Sequence, residues 1–482
     1  MTEVINEIWP HLIATIDAVI AIAASAHAIL HKRDTRSAVG WVGVIWLVPI
    51  LGSFLYLIFG INRIKRRARA LRSDLLQRRV PFTAGEVSLN GHAQAVSVPG
   101  HCEALARLVG NIVQKPLLPG NRITPLVNGD AAYPAMLKAI DEAEHSIHLS
   151  TYIFDNDRAG ALFLNALARA VDRRVQVRVL IDDVGARYSW PSITHKLRRA
   201  GIGVARFLPT FLPWRLFFMN LRNHRKLLVI DGKVGFTGGM NIRESLLLSE
   251  RPRSPVQDLH FLLEGPVVEH LQRTFTDDWF FTTGEMLQGE QLFPDIEQRG
   301  PVLARGIPDG PDEDFEKLLW TVHGALAVAK TSVQIATPYF LPDSSLITSL
   351  KIAAMRGITV DIILPQVNNL PIVKWASTDL WWQLLEHGCR IWLSPAPFDH
   401  SKVMIVDGVW TLFGSGNWDP RSFRLNFEFN VECYDRRLAD QLADLLREKM
   451  KDAHQVTLEE VRRRTLPVKL RDGIARLLSP YL

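Results

Sequence analysis

Two short stretches of this sequence carry the same chemically active residues at the same spacing. Both read His-x-Lys-x4-Asp-x6-Gly-[Gly/Ser]-x-Asn. The residues are His224, Lys226, Asp231 and Asn241 in the first copy, and His400, Lys402, Asp407 and Asn417 in the second. An imidazole can act as a nucleophile or carry a proton near neutral pH, and lysine and asparagine donate hydrogen bonds to anionic oxygens. Two such copies facing each other predict phosphodiester chemistry.

A β-hairpin is the element that must position each copy. The run after each histidine is apolar and mostly β-branched or aliphatic, which predicts a buried strand. Side chains two positions apart share a face of a strand, so histidine and lysine point the same way. Asp231 and Asp407 each precede a glycine, which is a hairpin turn signal, and we assign them to the turns rather than to substrate contact. A two-residue turn would place Gly239 and Ser415 opposite the two histidines.

No stretch of the sequence has the spacing of metal ligands. There is no His-Glu-x-x-His, no Cys-x-x-Cys and no carboxylate cluster that would require an ion. The three cysteines, Cys102, Cys389 and Cys433, are scattered and form no disulfide framework. We therefore expect the chemistry to need no metal and no cofactor.

Two long apolar segments open the chain. Ala38–Phe59 is 22 residues long without a charge, and Ile8–Leu30 is apolar but carries Asp17 and two histidines. Segments of this length can cross a bilayer, so the pair predicts a transmembrane helical hairpin. A shallow re-entrant hairpin, a cleaved signal peptide and a buried pair of core helices are the alternatives. The role of Asp17, which is costly in a membrane, stays open at this point.

Basic residues after the second apolar segment predict the orientation in the membrane. By the positive-inside rule they place the globular part of the chain on the cytoplasmic side of the membrane, and a complete hairpin would bring the N-terminus there too. Cations between the two segments weaken this asymmetry. The basic residues are Arg63, Lys65, Arg66, Arg67, Arg69 and Arg72 after the second segment, and Lys32, Arg33 and Arg36 between the segments.

The rest of the 482-residue chain is too long for one ordinary core. Strand and helix patterns alternate in two similar halves, 118–295 and 296–482, which predicts an α/β fold with mostly parallel central sheets. These patterns include a strand over Gln176–Asp182 and a helix over Ser344–Met355. Residues 63–117 read as a linker region and residues 1–62 as the membrane hairpin. The duplication predicts a bilobed catalytic unit with its active site at the seam, where each half supplies half of the groups.

The doubled motif resembles that of the phospholipase D superfamily, and the whole chain is similar to bacterial cardiolipin synthases. Further points of similarity are Thr337-Pro338-Tyr339-Phe340, Asn426-Phe427-Glu428, Trp41–Gly60 and the C-terminal Leu478–Leu482. One departure is Gly239, where the superfamily usually has serine. The resemblance implies a duplicated phospholipase D-like unit that joins two phosphatidylglycerols into cardiolipin and releases glycerol. A phospholipase D that uses water or another alcohol, a nuclease of the same superfamily, and a non-catalytic membrane scaffold are the alternatives.

The resemblance also implies a role for each motif residue. His224 would attack phosphorus to form a phosphatidyl-histidine intermediate, and His400 would act as general acid and base. The catalytic set is His224, Lys226, Asp231, His400, Lys402 and Asp407, and the phosphate-binding set is Lys226, Asn241, Lys402, Ser415 and Asn417. Asp258 and Glu428 would each accept a hydrogen bond from the far nitrogen of the motif histidine in its own half. The partners would be phosphatidylglycerol and the lipids of a bacterial inner membrane, with no nucleic acid.

Two tyrosines, one aromatic segment and one basic segment each have two alternative interpretations. Tyr152 and Tyr339 end equivalent predicted strands, where they either contact substrate or pack in the core. The aromatic segment Phe207–Phe218 is either core or a loop that dips into the membrane interface. Residues 458–478 form a basic amphipathic helix that either binds anionic headgroups or is an ordinary surface helix.

Overall fold

The computed structural model describes residues 2–32, 35–60, 98–209, 221–311 and 314–479. These residues form two compact units, Met1–Leu71 and Arg72–Leu482. Three predicted features lie largely outside the described residues: the basic cluster after Phe59, most of the 63–117 linker and most of the aromatic Phe207–Phe218 segment.

The N-terminal unit contains one helix long and apolar enough to cross a membrane. This helix is Thr2–His31, and its stretch Ile13–His31 has a mean hydropathy of 1.9. The second apolar segment is divided into the helices Thr35–Leu47 and Leu51–Leu55, followed by a π-helical turn at Tyr56–Gly60. A helix of 13 residues is about 20 Å long, shorter than the ~30 Å hydrocarbon core. The second apolar segment is therefore not one continuous helix over Ala38–Phe59.

The chain reverses direction at the break between these two helices. Trp46 Nε1 donates to Ser25 Oγ at 3.1 Å, and the Ile50 backbone N–H donates to Asp17 Oδ1 at 2.7 Å. Beyond the break Tyr56 lies beside Trp41, with ring centroids 5.4 Å apart. Asp17 thus satisfies a backbone donor that the break exposes, which accounts for a carboxylate in an apolar helix.

The first half of the catalytic unit consists of nine strands and four α-helices among the described residues. The strands are β1 Leu118–Val127, β2 Ser146–Thr151, β3 Gln176–Asp182, β4 Gly203–Phe207, β5 Arg222–Asn223, β6 Leu227–Ile230, β7 Val234–Gly238, β8 Val256–Gln257 and β9 Leu259–Glu264. The helices are Asn128–Glu142, Arg158–Asp172, Thr194–Arg199 and Val268–Thr283. The boundaries predicted for β3 agree with the structure.

The second half repeats this order and ends in additional helices. Its strands are β10 Val302–Asp309, β11 Ser332–Ala336, β12 Thr359–Pro365, β13 Arg390–Ser394, β14 Phe398–Asp399, β15 Val403–Val406, β16 Trp410–Gly414, β17 Asn426–Tyr434 and β18 His454–Val456. Its helices are Lys317–Val328, Ser344–Met355, Pro371–Thr378, Trp381–Leu385, Pro420–Arg424, Arg436–Lys451, Leu458–Arg463 and Leu466–Leu477. The predicted single helix over 458–478 is therefore two helices.

One continuous sheet runs through both halves, in the order β18-β13-β12-β11-β15-β16-β17-β10-β1-β9-β7-β6-β2-β3-β4. Antiparallel pairing of β1 with β10 joins the halves. Along this path only β2-β3-β4 and β11-β12-β13 are parallel. The prediction of mostly parallel sheets is corrected to mixed sheets, because short turns such as those of the motif hairpins force antiparallel neighbours.

Part of the predicted linker belongs to the second half. The helix Glu103–Val113 buries Leu105, Val109 and Val113 in the same core cluster as Leu318 and Val322 of the helix Lys317–Val328. Arg305 Nη2 also donates to the Ala106 carbonyl at 2.8 Å. This amphipathic helix packs into the core of the second half, so only the stretch before it remains a candidate linker.

Candidate active site

Each motif hairpin turns through three residues rather than two. Ile230 pairs with Val234 in the first hairpin, and Val406 pairs with Trp410 in the second. The motif aspartates adopt left-handed φ angles of 51° and 53° and are each followed by a glycine with positive φ. Asp and Gly tolerate this region, which allows the longer turn. The predicted register is wrong by one residue.

Because the register is shifted, the residues that follow each hairpin have other contacts than predicted. Ser415 Oγ donates to Glu428 Oε2 at 2.5 Å, so its hydroxyl supports a carboxylate rather than facing a phosphate directly. At the equivalent Gly239, a Cβ would lie 2.3 Å from Asp258 Oδ1. At this position the backbone of the first half therefore lies close to Asp258, whereas the second half has a hydroxyl donor.

The motif aspartates lie in the hairpin turns, at the ends of β6 and β15 that are farthest from the histidines. Asp231 accepts hydrogen bonds from the backbone N–H groups of Glu144, His145 and Ser146, at 2.9, 2.7 and 2.7 Å. Asp407 accepts the equivalent bonds from residues 330, 331 and 332, at 2.9, 2.8 and 3.0 Å. Both aspartates thus tie the turn to the start of the neighbouring strand, β2 or β11.

Each motif histidine is held by a carboxylate from the opposite half. His224 Nδ1 lies 3.0 Å from both carboxylate oxygens of Glu428, and His400 Nδ1 lies 2.8 Å from Asp258 Oδ2. The predicted role of the two carboxylates thus matches their placement, but the expected pairing within one half is wrong. Short parallel bridges between the halves cause the crossing, because β5 pairs with β17 and β14 pairs with β8.

The crossed contacts fix which imidazole nitrogen faces the substrate. A carboxylate partner keeps the proton on Nδ1, and Nε2 is then left with a lone pair. Burial lowers the pKa of His224, and it lowers the pKa of His400 to about 4. Burial alone would raise the pKa of Glu428, but His224 and Lys226 hold it below its ordinary value. Both histidines are therefore neutral at pH 7 when no anion is bound, and Glu428 is ionised.

The two motif lysines are buried beside the histidines. Lys226 Nζ donates to the His224 carbonyl at 2.6 Å, and Lys402 Nζ donates to the His400 carbonyl at 2.5 Å. Burial lowers the pKa of Lys226 to about 7 and that of Lys402 to about 8. A phosphate anion at this position would favour their charged forms, because it supplies the missing counter-charge.

The motif asparagines lie in the wall of the same cavity. Asn241 Oδ1 accepts from the Ile153 N–H at 3.1 Å, which orients its amide N–H groups away from that backbone. Asn417 Oδ1 is buried and accepts no hydrogen bond from the described residues. The cavity has a volume of about 650 Å³ and includes both histidines and both asparagines in its wall. The rings of Tyr152 and Tyr339 also line the cavity. They lie edge-on to His224 and His400, with 5.4 and 6.2 Å between the ring centroids.

Arg225, which lies between the motif histidine and lysine of the first half, connects the two halves by hydrogen bonds. Arg225 is 1% exposed, and its Nε donates to the Glu428 carbonyl at 2.9 Å. Its other nitrogens reach Asp278 Oδ1 at 2.5 Å and the Asp309 carbonyl at 3.1 Å. No role was predicted for Arg225, nor for Arg222 and Arg421, which line the cavity. The sequence offered one signal for Arg222 and Arg421, which was their position two residues before His224 and four residues after Asn417.

Known proteins are similar in sequence to this chain over most of its length. The family described as "Cardiolipin synthase, PLD-like domain" matches residues 136–279 and 323–450, and the family "Phospholipase_D-nuclease N-terminal" matches residues 19–60. A cardiolipin synthase of Geobacillus kaustophilus is 34% identical over 94% of this chain and 90% of its own length. Cardiolipin synthase of Listeria monocytogenes is 30% identical over 95% of this chain and 96% of its own length.

Among solved structures, a phosphatidylserine synthase of Haemophilus influenzae matches with a TM-score of 0.62 and 15% identity. It covers 78% of this chain and all of its own chain, and it supports the duplicated fold. The chain therefore belongs to the cardiolipin synthase family of phospholipase D-like enzymes.

Proposed function

We propose that this enzyme joins two phosphatidylglycerol molecules into cardiolipin and releases glycerol. The observation that carries the proposal is the placement of both motif histidines in one cavity, each oriented by a carboxylate from the opposite half. The names of its relatives over 94% of the chain support the same lipid chemistry. A cavity of about 650 Å³ can hold the reacting headgroups.

The chemistry proceeds in two displacements at phosphorus. His224 Nε2 attacks the phosphodiester, a P–N bond forms, and the P–O bond to the glycerol headgroup breaks as His400 donates its proton to that oxygen. The bound phosphodiester anion favours the imidazolium form of His400, which is neutral when no anion is bound. In the second step His400 removes the proton from a phosphatidylglycerol hydroxyl, whose oxygen attacks phosphorus and releases His224. Lys226 and Lys402 offset charge on the phosphoryl oxygens.

The product pattern distinguishes this transferase from a phospholipase. Purified enzyme given phosphatidylglycerol alone should form cardiolipin and glycerol in equal amounts, with little phosphatidic acid. Added glycerol should convert cardiolipin back to phosphatidylglycerol, because the histidine intermediate conserves the energy of the phosphodiester bond. Lipid chromatography with a glycerol assay measures all three products. A preparation that yields mainly phosphatidic acid, with no reversal by glycerol, would identify water as the acceptor.

We further propose that the N-terminal unit crosses the membrane once and then forms a re-entrant segment. Support comes from the reversal at Ile50, which returns Tyr56 to the level of Trp41. With this topology the basic residues between the two apolar segments and those after the second segment lie on the same side of the membrane. The reason is that the chain enters the membrane at Thr35 and leaves it on the same side at Gly60. Acidic Glu3 and the N-terminus then lie on the opposite side. This arrangement satisfies the positive-inside rule with both clusters, whereas a complete hairpin would separate them.

Cysteine labelling of intact spheroplasts tests this topology. In a variant whose three native cysteines are replaced, Thr2→Cys should react with a membrane-impermeant maleimide from outside. Thr35→Cys should react only after permeabilisation. Trp190→Cys, at a position 96% exposed in the catalytic unit, should behave like Thr35→Cys if that unit faces the cytoplasm. External labelling of residue 35 but not of residue 2 would instead support two full spans.

A further inference from the structure

The C-terminal helix Leu466–Leu477 turns its large apolar side chains away from the protein. Four such residues recur three or four positions apart, and residues at this spacing lie on one face of a helix. They are between 57 and 73% exposed. We call them the apolar face: Leu466, Leu470, Ile474 and Leu477. A surface helix of a soluble protein has the opposite arrangement, because its apolar stripe faces the core.

The side of this helix that packs on the protein is small or charged. Asp472 and Ala475 are buried there. Arg471 Nη2 donates to Asp472 Oδ1 at 2.7 Å, and Arg464 Nη1 donates to the other oxygen of the same carboxylate. Turning the helix to bury its leucines would separate Asp472 from Arg464, which precedes the helix. Contacts on the buried side therefore keep the apolar face exposed.

The same helix packs along Pro371–Thr378, which begins at the wall of the active-site cavity. The Arg471 guanidinium lies over the Trp375 ring, 4.5 Å from its centroid, and Arg476 Nε lies 3.1 Å from Asp379 Oδ2. Because both contacts follow the chain in the same direction, the two helices run parallel. The N-terminal end of the apolar face thus lies toward the cavity end of Pro371–Thr378. The cavity-lining residues at that end are Asn369, Leu370, Ile372 and Val373.

Exposed cations border the apolar face along both sides. Helical periodicity places Arg471 on one side of it, and Lys469 and Arg476 on the other. The segment 458–478 carries six lysine or arginine residues against three carboxylates. A bilayer with anionic lipids matches both features, since it offers an apolar layer and, next to it, negatively charged phosphates. A second copy of the same face would instead bring these cations against each other.

We propose that the apolar face docks the catalytic unit on a bilayer surface that contains anionic lipid. The four side chains enter the boundary between headgroups and acyl chains, and the flanking cations lie among the phosphates. Docking here brings the bilayer beside the cavity end of Pro371–Thr378, so a headgroup reaches the cavity while its acyl chains stay in the bilayer. The inference goes beyond the proposed function, because it needs only a phospholipid substrate and holds for a lipid, water or another alcohol as acceptor.

A fluorescent probe on the full-length enzyme tests the contact directly. In a variant whose three native cysteines are replaced, Ile474→Cys is labelled with an environment-sensitive nitrobenzoxadiazole dye. The protein is then reconstituted in vesicles of phosphatidylglycerol and phosphatidylcholine that contain nitroxide-labelled lipid. We expect emission to move to shorter wavelength and the nitroxides to quench it, because the side chain lies about 5–10 Å inside the headgroup boundary.

Gln441→Cys, labelled in the same way, is the control position. It lies on the helix Arg436–Lys451, whose buried residues belong to the core cluster on the opposite face of the sheet. Its probe should stay unquenched. An unquenched probe at residue 474 would refute the docking surface. A probe at residue 474 that is shielded from aqueous iodide and yet unquenched by lipid nitroxides would mean that protein covers the face, and it would refute the proposal equally.

Leu470→Glu tests whether the apolar face itself makes the contact. A carboxylate in this face opposes insertion and is repelled by anionic phosphates, so the probe at residue 474 should lose its quenching. The value of kcat/KM for phosphatidylglycerol in vesicles should fall about tenfold or more. The matched control is Leu162→Glu, at an exposed leucine of the first half, which should leave both measurements within about twofold. Quenching that survives Leu470→Glu would assign the contact to another surface and refute the proposal.

The lipid composition of the vesicles tests the cations. Vesicles of phosphatidylcholine alone should quench the probe at residue 474 less than vesicles with phosphatidylglycerol, because the attraction to anionic phosphates is lost. Equal quenching in both would refute the role of the cations. Production of phosphatidic acid instead of cardiolipin by the unaltered enzyme would overturn the proposed function and leave these fluorescence results unaffected.

Discussion

His224→Asn and His400→Asn should each reduce turnover by about 10³-fold or more, while the protein remains folded in membranes. Nucleophilic and general acid-base catalysis account for losses of this size when the reacting group is removed. The two imidazoles have different partners but act in one cycle, so either substitution should stop it. Cardiolipin formation by purified variants measures the loss, and circular dichroism with thermal unfolding checks the fold.

His323→Asn provides the control for the histidine variants. His323 hydrogen-bonds to Ser345 and Ser349 on a neighbouring helix and is absent from the cavity wall. This variant should retain activity within about twofold, as is usual for a substitution away from a site. Retention of more than a few per cent of activity in either motif variant would contradict a site built from both halves.

Asp258→Asn should lower kcat by about 10²-fold and move the pH optimum to more acidic values. Asp258 favours the imidazolium form of His400, so its loss lowers the pKa of His400 further below about 4. A more acidic solution is then needed to supply the proton for the leaving glycerol. The magnitude corresponds to the loss of a carboxylate that orients a catalytic imidazole. A pH–rate profile of kcat from about pH 5 to 9 measures both effects.

The companion variant Glu428→Gln should reduce kcat without the same acidic shift, because Glu428 orients the nucleophile His224 rather than the proton donor. Asp141→Asn serves as a control, since its carboxylate pairs with Arg169 on the surface and lies outside the cavity wall. An acidic shift in Glu428→Gln but not in Asp258→Asn would mean that the roles of the two histidines are reversed.

Local patterns predicted several elements and the placement of the motif residues. The helix Ser344–Met355 and the strand Gln176–Asp182 have the predicted boundaries, because strong periodicity and clear flanking residues mark them. The spacing of histidine, lysine and asparagine likewise places all six side chains around one cavity or directly behind it. These features depend on residues that are close together in the chain.

Features that depend on conformation or on distant residues could not be predicted in this way. The turn register depended on Asp231 and Asp407 adopting left-handed φ, which no spacing reveals. The crossed carboxylates join residues 204 and 142 positions apart in the chain. The division of the second apolar segment likewise depends on a hydrogen bond between Asp17 and Ile50, 33 positions apart.

The crossed seam restricts how lipids enter and leave. Separating the halves would break the β1–β10 pairing and the bonds of Arg225 to the opposite half. It would also leave Glu428 buried without His224, and removing one partner of a buried charged pair typically costs about 3–5 kcal/mol. Opening the seam would therefore add a substantial cost to each turnover. We expect lipids to enter and leave with the seam closed, past the exposed cavity-lining residues Tyr188 and Leu370.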